Sequence, residues 1–158
     1  MKKISLTQGQ YAVVDDEDFV WLSKYKWFAR YDKKGQRFYA TRGVYNGKNM
    51  SCVWMHREIL DTPKWVLTDH INHDTLDNRK KNLRCASHTE NLRNARLRKD
   101  SKSGYKGVSK HGKKWRAYIN VYGQRRCLGS YVDILSAARA YNKVALKMFG
   151  EFAQPNIV

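Results

Sequence analysis

The stretch Asp69–Asn91, DHINHDTLDNRKKNLRCASHTEN, decides the fold. An apolar, strand-like run at Trp65–Leu67 precedes it, and a polar, turn-rich connection follows its opening Asp-His pair. A second short run, Leu83–Ala86, predicts another strand. Ser87–Glu90 is a capping box, in which a serine is followed three residues later by a glutamate, and such a box opens a helix. The stretch therefore predicts a strand, a long connection, a second strand and a helix.

The polar side chains on this scaffold suit the hydrolysis of a phosphodiester. Asp69 and Asn91 offer a carboxylate and an amide oxygen, which are hard ligands that favour magnesium or manganese over zinc. A histidine titrates near neutral pH, so His70 can take a proton from an attacking water. Asn82 can hold that imidazole in one orientation through a hydrogen bond. Because neighbouring strand residues point to opposite faces, Asp69 and His70 can serve one phosphate if the strand ends or bends at His70.

In the spacing of four motifs this stretch resembles a known family. The motifs are Asp69-His70, Asp77-Asn78-Arg79, Asn82-Leu83-Arg84 and Asn91, and together they resemble the HNH endonucleases with a ββα-metal active site, most closely the phage and intron-encoded homing type. The resemblance implies His70 as general base, Asp69 and Asn91 as ligands of Mg²⁺ or Mn²⁺, and Asn82 as the residue that orients His70. The last position is an asparagine rather than a histidine, a variant of the homing type that favours magnesium or manganese further.

The composition points to a nucleic-acid partner. The chain has 158 residues, a formal net charge of +17 and a pI of about 9.9. A basic excess of this size favours a polyanion, with a solvated basic face as the alternative. The three cysteines form no Cys-x-x-Cys pair, so neither a structural zinc site nor a disulfide framework is indicated. The absence of a signal peptide and of a long apolar run predicts a soluble protein in the cytoplasm of a bacterial or phage-infected cell.

Residues 1–55 are predicted to be rich in strands, with one short helix. Two aromatic strands flank the turn Asp32–Gly35 and predict a hairpin. The four acids Asp15–Asp18 stand at the start of the helix, where the helix dipole alone favours them, so a metal cluster is not expected there. Met55–Leu60 predicts a second short helix. His56 within it is expected to be a partly buried, hydrogen-bonded structural residue, with a role near the phosphate as the alternative.

Basic residues run through the motif and beyond it. Arg79 and Arg84 are expected to hold DNA phosphates near the metal, although an ion pair with Asp77 or Asp74 is an equal alternative for Arg79. From residue 93 to residue 102 the chain is basic and almost free of apolar residues. This composition predicts a linker, residues 96–102, that lies along DNA. A disordered charged run is the alternative, and the expected DNA contacts here are Arg93, Arg96 and Arg98.

Residues 103–158 predict a second small domain. Short strands are expected at Gly104–Ser109, Lys114–Val121 and Arg125–Tyr131, and a helix from Ile134 to Gly150. Three antiparallel strands backed by one amphipathic helix make a minimal two-layer domain. The alternation along the middle strand turns three apolar side chains toward the helix and four polar side chains, including Tyr118 and Asn120, to the other face. That basic, polar face suits a DNA groove, with a merely solvated face as the alternative.

This module resembles the plant ethylene-response-factor (APETALA-type) DNA-binding domain, which also occurs fused to HNH nucleases. The matching segments are Tyr105–Val108, Lys114–Ala117, Leu128-Gly129, Ala137–Tyr141 and Gly150-x-x-Ala153-x-x-Asn156. The resemblance and the exposed face together predict DNA contacts from Lys106, Ser109, Lys114, Trp115, Arg116, Tyr118, Asn120 and Arg125. Ser109, Tyr118, Asn120 and Cys127 depart from the plant pattern, so the plant target sequence does not transfer. Trp115 either contacts DNA or covers the edge of the sheet.

These observations predict an α+β protein of two modules. A β-rich region leads into a ββα-metal HNH core in residues 1–95 (core about 56–95), and a basic linker at 96–102 joins it to a three-stranded antiparallel sheet packed on one helix in residues 103–158. The expected function is a metal-dependent nuclease that nicks duplex DNA as a monomer or weak dimer, with no obligate protein partner and no membrane. The alternative is a sequence-specific DNA-binding regulator with an inactive nuclease core. An RNA-binding role follows from charge alone and ignores both motifs.

Overall fold

The chain folds as a mixture of helices and small antiparallel sheets, as the sequence predicts. The computed structural model describes residues 1–158, which divide into two compact units, 1–88 and 89–158. The first unit contains β1 (Lys2–Ser5), β2 (Tyr11–Val14), α1 (Asp16–Leu22), β3 (Phe28–Asp32), β4 (Arg37–Tyr45), β5 (Met50–Trp54), α2 (Met55–Ile59), β6 (Leu67–His70), a 3-10 turn (Lys80–Asn82) and β7 (Leu83–Ala86).

The ββα order predicted around the Asp-His pair is confirmed. β6 pairs with β7 in an antiparallel hairpin whose register sets Asp69 opposite Arg84 and His70 opposite Leu83. The helix α3 (His88–Asn94) follows β7. The strand begins at Leu67 rather than Trp65, and the Trp65 side chain is 86% exposed. The apolar run therefore marks the approach to the strand, and the strand itself is short and ends at His70.

The connection between β6 and β7 is held by the N-terminal hairpin. β1 and β2 pair in antiparallel fashion, and β2 extends this pairing through a parallel bridge between Val13 and Asp77. The Val13 N–H donates to the Leu76 carbonyl and the Asn78 N–H donates to the Val13 carbonyl, each at 2.8 Å. Backbone pairing of this kind fixes the connection in place. β1 was not predicted, because its residues Lys2–Ser5 carry too few apolar side chains to form a strand pattern.

The acidic start of α1 supports the same connection. Asp15 accepts from the Lys80 backbone N–H at 2.8 Å, and the Lys80 ammonium lies 2.6 Å from Glu17 and 3.2 Å from Asp18. The acidic segment therefore has a structural role, and its partner is Lys80. The segment ties the helix to the 3-10 turn that precedes β7.

Four side chains of the β3-β4-β5 sheet lie on one of its faces. The sheet is antiparallel, with β4 in the middle. Arg30 lies opposite Tyr39, and Thr41 lies opposite Trp54. Because cross-strand partners share a face and alternate residues along a strand share a face, these four side chains lie on the same side. The short helix α2 follows directly from Trp54 and carries His56.

The second unit holds a sheet backed by one helix, as predicted. Its strands are β8 (Val108–His111), β9 (Lys114–Val121) and β10 (Gln124–Tyr131), in the order β10-β9-β8, and its long helix is α4 (Ile134–Phe149), followed by a 3-10 turn at Gly150–Phe152. Ala117, Ile119 and Val121 are buried, and the buried clusters of the unit join β9 to α4. No helix or strand occurs between α3 and β8.

The ends of this unit are tied by asparagine side chains. Asn156 accepts from the Lys106 backbone N–H at 2.6 Å and donates to the Lys106 carbonyl at 3.1 Å. Asn142 on α4 exchanges two further hydrogen bonds, 2.8 and 2.7 Å long, with the backbone of Asn156. The Asp133 side chain caps α4 by accepting from the Ser136 N–H at 2.7 Å. The C-terminal tail is thereby fixed against the entry to β8.

Gly107 is expected to be intolerant of any side chain. Its φ is +67°, and a Cβ there would lie 2.1 Å from Tyr141 Cδ2 and 2.5 Å from the Tyr118 carbonyl oxygen. Left-handed strain and a clash with a buried ring combine, so Gly107→Ala is expected to lower the free energy of unfolding by about 3 kcal/mol. Gly112, with φ +58° and open space around its Cα, is the matched control, and Gly112→Ala should cost about 1 kcal/mol. Equal losses in urea denaturation would contradict the packing argument.

No helix in the structure combines the length and the apolar character needed to cross a bilayer.

Candidate active site

Asp69 and His70 lie at the end of β6 in a protected position. Their exposed fractions are 7% and 5%. The chain turns immediately afterwards: the His73 N–H donates to the His70 carbonyl at 3.0 Å, and His73 has a φ of +64°. The bend that the sequence requires at His70 therefore follows within three residues. Both side chains lie on a paired strand rather than in a loop.

Asp69 is paired with Arg84 across the hairpin. Arg84 donates to Asp69 Oδ2 from Nε at 3.0 Å and from Nη2 at 2.8 Å, and both residues are buried. A buried carboxylate requires such a partner, because desolvation of a lone charge is costly. The structure thus gives Arg84 a position against the carboxylate that the sequence predicts as metal ligand. The sequence predicted that Arg84 contacts DNA phosphate, and it did not predict this ion pair with Asp69.

Asn78 lies against the His70 imidazole. Its Oδ1 is 3.4 Å from His70 Nε2, while its Nδ2 donates to the Leu76 carbonyl at 3.2 Å. With the amide in this orientation, Asn78 Oδ1 can accept a hydrogen bond from a protonated Nε2, and in that tautomer Nδ1 carries the lone pair. Burial lowers the pKa of His70 from its ordinary value, partly offset by the Asn78 hydrogen bond. The imidazole is therefore neutral at physiological pH, the state that a general base needs.

The prediction that Asn82 orients His70 needs correction. Asn82 donates from Nδ2 to the Asp77 carbonyl at 2.7 Å and accepts at Oδ1 from the Asn72 N–H at 3.0 Å. Both ends of its amide thus bind the connection, and Asn78 takes the place beside the imidazole. Asn78 belongs to the matched motif at 77–79 but had been given no role. Its complete burial is the signal that distinguishes it, and burial of an asparagine is not visible in sequence.

Arg79 forms the ion pair that was its alternative assignment. Its Nε and Nη2 donate to the two carboxylate oxygens of Asp77, each at 2.6 Å. The Arg79 guanidinium holds the pKa of Asp77 below its usual range, and Asp77 also accepts from the Asn72 side chain at 2.9 Å. This cluster stiffens the connection beside the site. A phosphate contact by Arg79 stays a prediction.

A cluster of aromatic rings and a second histidine adjoins His70. The His56 and His70 ring centroids lie 5.0 Å apart, and those of Tyr39 and His56 lie 5.7 Å apart. Tyr39 and Trp54 meet edge to face at 5.4 Å. His56 is 7% exposed and its Nδ1 is buried with no hydrogen-bond partner. It is buried as expected, but the expected hydrogen bond is missing at Nδ1.

The stability of the protein is expected to depend on pH through His56. Burial lowers the pKa of His56 from 6.5 to about 3. Between those values the unfolded chain binds a proton that the folded chain does not, so the free energy of unfolding falls as the pH falls, by up to about 1.4 kcal/mol per pH unit. Above pH 6.5 His56 is neutral in the folded and the unfolded chain, so it causes no loss of stability there.

Urea denaturation of wild type and His56→Gln between pH 7.5 and pH 4.5 measures this dependence. The free energy of unfolding of His56→Gln relative to that of wild type should rise as the pH falls. His88→Gln, at an exposed histidine, is the control and should follow wild type. Parallel curves for wild type and His56→Gln would contradict the account.

The donor set around Asp69 fits a hard divalent cation. No group of three or more His, Cys, Asp or Glu side chains capable of holding a metal occurs in the chain. Mg²⁺ in nucleases needs fewer protein ligands, because it keeps waters and takes up substrate phosphate oxygens. Asp69 supplies one carboxylate oxygen donor in the first unit, and a role for Asn91 as a second ligand stays a prediction. Asn91 lies in α3, within the second unit.

Six of the predicted DNA-contacting residues share one face of the C-terminal sheet. β9 sets Arg116 opposite Ser109 and Ser130, Tyr118 opposite Cys127, and Asn120 opposite Arg125. The Arg125 guanidinium lies 3.5 Å above the centroid of the Tyr118 ring. The Nε of Arg116 is buried without a hydrogen-bond partner. The register thus gathers on the side opposite α4 the residues Ser109, Lys114, Arg116, Tyr118, Asn120 and Arg125.

The other predicted contacts of this unit lie elsewhere. The Lys106 ammonium donates to the Arg93 and Ala95 carbonyls at 3.0 and 2.7 Å, and burial lowers its pKa to about 8. It therefore caps the end of α3, where the helix dipole favours a cation. Trp115 packs against the buried cluster beneath the sheet, which is its sheet-covering alternative. A DNA contact by either residue stays a prediction.

The arginines around the predicted linker differ in their surroundings. Arg93 lies 4.5 Å from the centroid of the Phe149 ring. Arg98 pairs with Asp100 at 2.8 Å on the surface, and Arg96 is exposed. Among these three, Arg96 and Arg98 are open to solvent and to a polyanion.

Comparison with known proteins agrees with the geometry around Asp69 and His70. The family model described as HNH endonuclease matches residues 63–93. A protein of Acanthamoeba polyphaga mimivirus, described as an uncharacterized HNH endonuclease, is 30% identical over 156 residues, which is 94% of this chain and 76% of that protein. The matched segment contains β6, the connection, β7 and most of α3. The chain therefore belongs to the HNH endonuclease family.

Proposed function

We propose that this protein is a metal-dependent DNA endonuclease that nicks one strand of duplex DNA. The observation that carries the proposal is the end of β6, where His70, neutral and oriented through Nε2 by Asn78, stands next to a carboxylate at Asp69. Membership in the HNH family supports nuclease activity. The net charge of +17 supports a polyanionic substrate.

In this proposal the chain's own groups divide the work. His70 Nδ1 accepts a proton from the water that attacks phosphorus, because the Asn78 contact keeps the proton on Nε2. Asp69, with Asn91 as the predicted second ligand, would hold the cation, Mg²⁺ or Mn²⁺, which when bound would stabilise negative charge on the phosphate and the leaving oxygen. Asn82 keeps the connection, and with it Asn78, in place. The buried hairpin fixes these groups before substrate arrives.

Arg84 sets the strength of cation binding in this scheme. Its guanidinium already neutralises the carboxylate of Asp69 at 2.8 Å. A divalent cation at the same carboxylate meets a like charge nearby, which opposes binding. Phosphate oxygens of the substrate offset that charge. We therefore expect tight cation binding only when DNA is present.

The C-terminal sheet is proposed to bind duplex DNA through the face that carries Tyr118 and Arg125. The register gathers Lys114, Arg116 and Arg125 on this face, and their positive charge supports an anionic partner. The resemblance to the APETALA-type domain suggests the major groove. Lys114, Asn120 and Ser109 would complete the contact surface.

Arg125 and Arg126 form a matched pair that tests this face. They are adjacent, exposed arginines, but Arg125 lies opposite Asn120 and Arg126 opposite Ile119, so they point to opposite sides. Arg125→Ala is expected to weaken duplex binding and to make the slope of log K against log[salt] shallower by about 0.9. Arg126→Ala should change neither. Equal effects of the two substitutions in fluorescence anisotropy titrations at several salt concentrations would contradict DNA binding by this face.

The function is tested by supplying labelled duplex DNA, single-stranded DNA and RNA from a random pool, each with Mg²⁺, Mn²⁺ or EDTA. The proposal predicts cleavage of duplex DNA that requires a divalent cation. Binding of duplex DNA without cleavage under either metal would favour the regulator. Preferential binding of RNA in competition would contradict both.

A further inference from the structure

A cleft on the first unit lies beside the candidate catalytic histidine. Its volume is about 490 Å³, within the range of sites that take small ligands. Tyr39, Trp54 and His56 line it together with Arg30 and Lys33. His56 joins the cleft to the active site, since its ring lies 5.0 Å from that of His70. None of the residues given a role in cleavage lines this cleft.

The walls of the cleft combine aromatic surface with positive charge. Arg30, Tyr39 and Trp54 lie on the same face of the β3-β4-β5 sheet. The Arg30 guanidinium stands 5.4 Å from the centroid of the Trp54 ring, and both Arg30 and Lys33 are exposed. Aromatic rings with flanking cations are the elements that bind single nucleotides, through stacking on the base and attraction to the phosphate.

The remaining charged groups of the cleft are occupied within the chain. Asp32 accepts from the Lys34 and Gly35 backbone N–H groups at 3.1 and 3.0 Å and lies 3.8 Å from the Arg37 guanidinium. The Arg57 guanidinium donates to backbone carbonyls, among them Val66 at 2.9 Å. The carboxylate therefore offers little repulsion to an anion, and Arg57 shapes the wall instead of binding ligand.

His56 is a buried imidazole in the wall of the cleft. Its side chain is more than nine-tenths buried, and Nδ1 has no partner in the protein. A buried polar atom without a partner costs free energy, and a base edge that reached it on entering the cleft would recover that cost. The neutral imidazole has both a donor and an acceptor nitrogen, and base edges offer both as well.

We propose that this cleft binds one unstacked nucleotide of the substrate strand, with the base against Trp54 and Tyr39, an edge of the base near His56, and the phosphate near Arg30 and Lys33. The inference rests on the proposed function, because it places the nucleotide next to the phosphate that His70 acts on. A paired base cannot present its face to Trp54, so the nucleotide must be extrahelical or single-stranded. The enzyme would then favour DNA that carries an unpaired nucleotide near the cut.

The test compares two oligonucleotides of equal charge in EDTA, where no cleavage occurs. One is a thymidine pentamer and the other is the same pentamer with an abasic site at its centre. Wild type should bind the intact pentamer about tenfold more tightly, the range expected for stacking of one base. Trp54→Ala should abolish that preference, whereas Trp65→Ala, at a tryptophan 86% exposed and outside the cleft, should keep it. A preference that survives in Trp54→Ala, or is absent in wild type, overturns the inference.

Two further measurements guard against loss of folding in Trp54→Ala. Arg30→Ala, at an exposed strand position, should weaken both pentamers equally and leave the preference for the base intact; unchanged affinity for both would overturn the phosphate assignment. A pentamer with central 4-thiothymidine should cross-link to residues 30–39 or 54–57 of wild type, and cross-links confined to β8–β10 would overturn the proposal.

A duplex with one bulged thymidine should compete with the pentamer for the cleft of wild type. Competition by the bulged duplex beyond that of a fully paired duplex identifies an extrahelical nucleotide as the occupant, and equal competition identifies single-stranded DNA. These binding assays need no metal, so they test the cleft separately from cleavage. If the protein cleaves DNA but shows no preference for the intact pentamer, only the inference about the cleft is contradicted. If the protein prefers the intact pentamer but never cleaves DNA, only the proposed function is contradicted.

Discussion

Replacing His70 by alanine is expected to lower the rate of metal-dependent DNA cleavage by about 10²- to 10⁴-fold while leaving duplex binding near the wild-type level. The imidazole is the group positioned to take a proton from water, since Asn78 holds Nε2 at 3.4 Å and leaves the lone pair on Nδ1. The neighbouring Asp69 carboxylate is engaged by Arg84 at 2.8 Å, so it is a poorer proton acceptor than the imidazole. Cleavage rates are measured on plasmid DNA, and binding by anisotropy.

His88 provides the control for this variant. It is exposed at the start of α3, so His88→Ala should cleave at close to the wild-type rate. Circular dichroism of His70→Ala checks that the buried replacement keeps the fold. Wild-type cleavage rates in a folded His70→Ala protein would remove His70 from the mechanism.

Arg84→Met is expected to lower the free energy of unfolding by about 3–5 kcal/mol, the largest change in stability that we expect from a single polar residue. The substitution removes the guanidinium that lies 2.8 Å from the buried Asp69 carboxylate. Such a carboxylate either stays charged at a high desolvation cost or takes up a proton. Methionine fills most of the volume of arginine, so the loss reports the charge rather than a cavity.

The double variant Asp69→Asn/Arg84→Met separates the charge from other effects. If the pair accounts for the loss, removing both charges restores a large part of it. The exposed pair Arg98–Asp100 gives the control, and Arg98→Met should not change stability measurably. Urea denaturation of Arg84→Met at wild-type stability would contradict the assignment.

The local order of elements could be predicted at the candidate site because it depends on short-range signals. Leu83–Ala86 and the Ser87–Glu90 capping box predicted β7 and α3, and the turn at Asp32–Gly35 predicted the β3–β4 hairpin. β9 and α4 were equally clear, since alternating and helical periodicities are strong there. β1 was missed because Lys2–Ser5 carry too few apolar side chains to form a strand pattern, and the bridge from Val13 to Asp77 was missed because it joins residues distant in sequence.

The partners of polar side chains were the part that sequence could not supply. Arg84 and Asp69 are distant in sequence and meet only through the register of β6 and β7. Asn78 and Asn82 are equivalent as residue types, and only the path of the connection decides which faces His70. Lys106 carries a charge that suggested DNA, yet it is half-buried against the end of α3. Motif spacing therefore predicted the HNH family, but not which polar side chains meet in the fold.

The measurement that tests the central claim most directly is a time course of supercoiled plasmid DNA with wild type, Asp69→Asn and His70→Ala, each in Mg²⁺, Mn²⁺ and EDTA. The account predicts that wild type with a divalent cation produces open circles first and linear DNA only later, and that EDTA and both variants suppress the open circles. Open circles formed equally by Asp69→Asn and His70→Ala, or by wild type in EDTA, would contradict a metal-dependent nuclease centred on the end of β6.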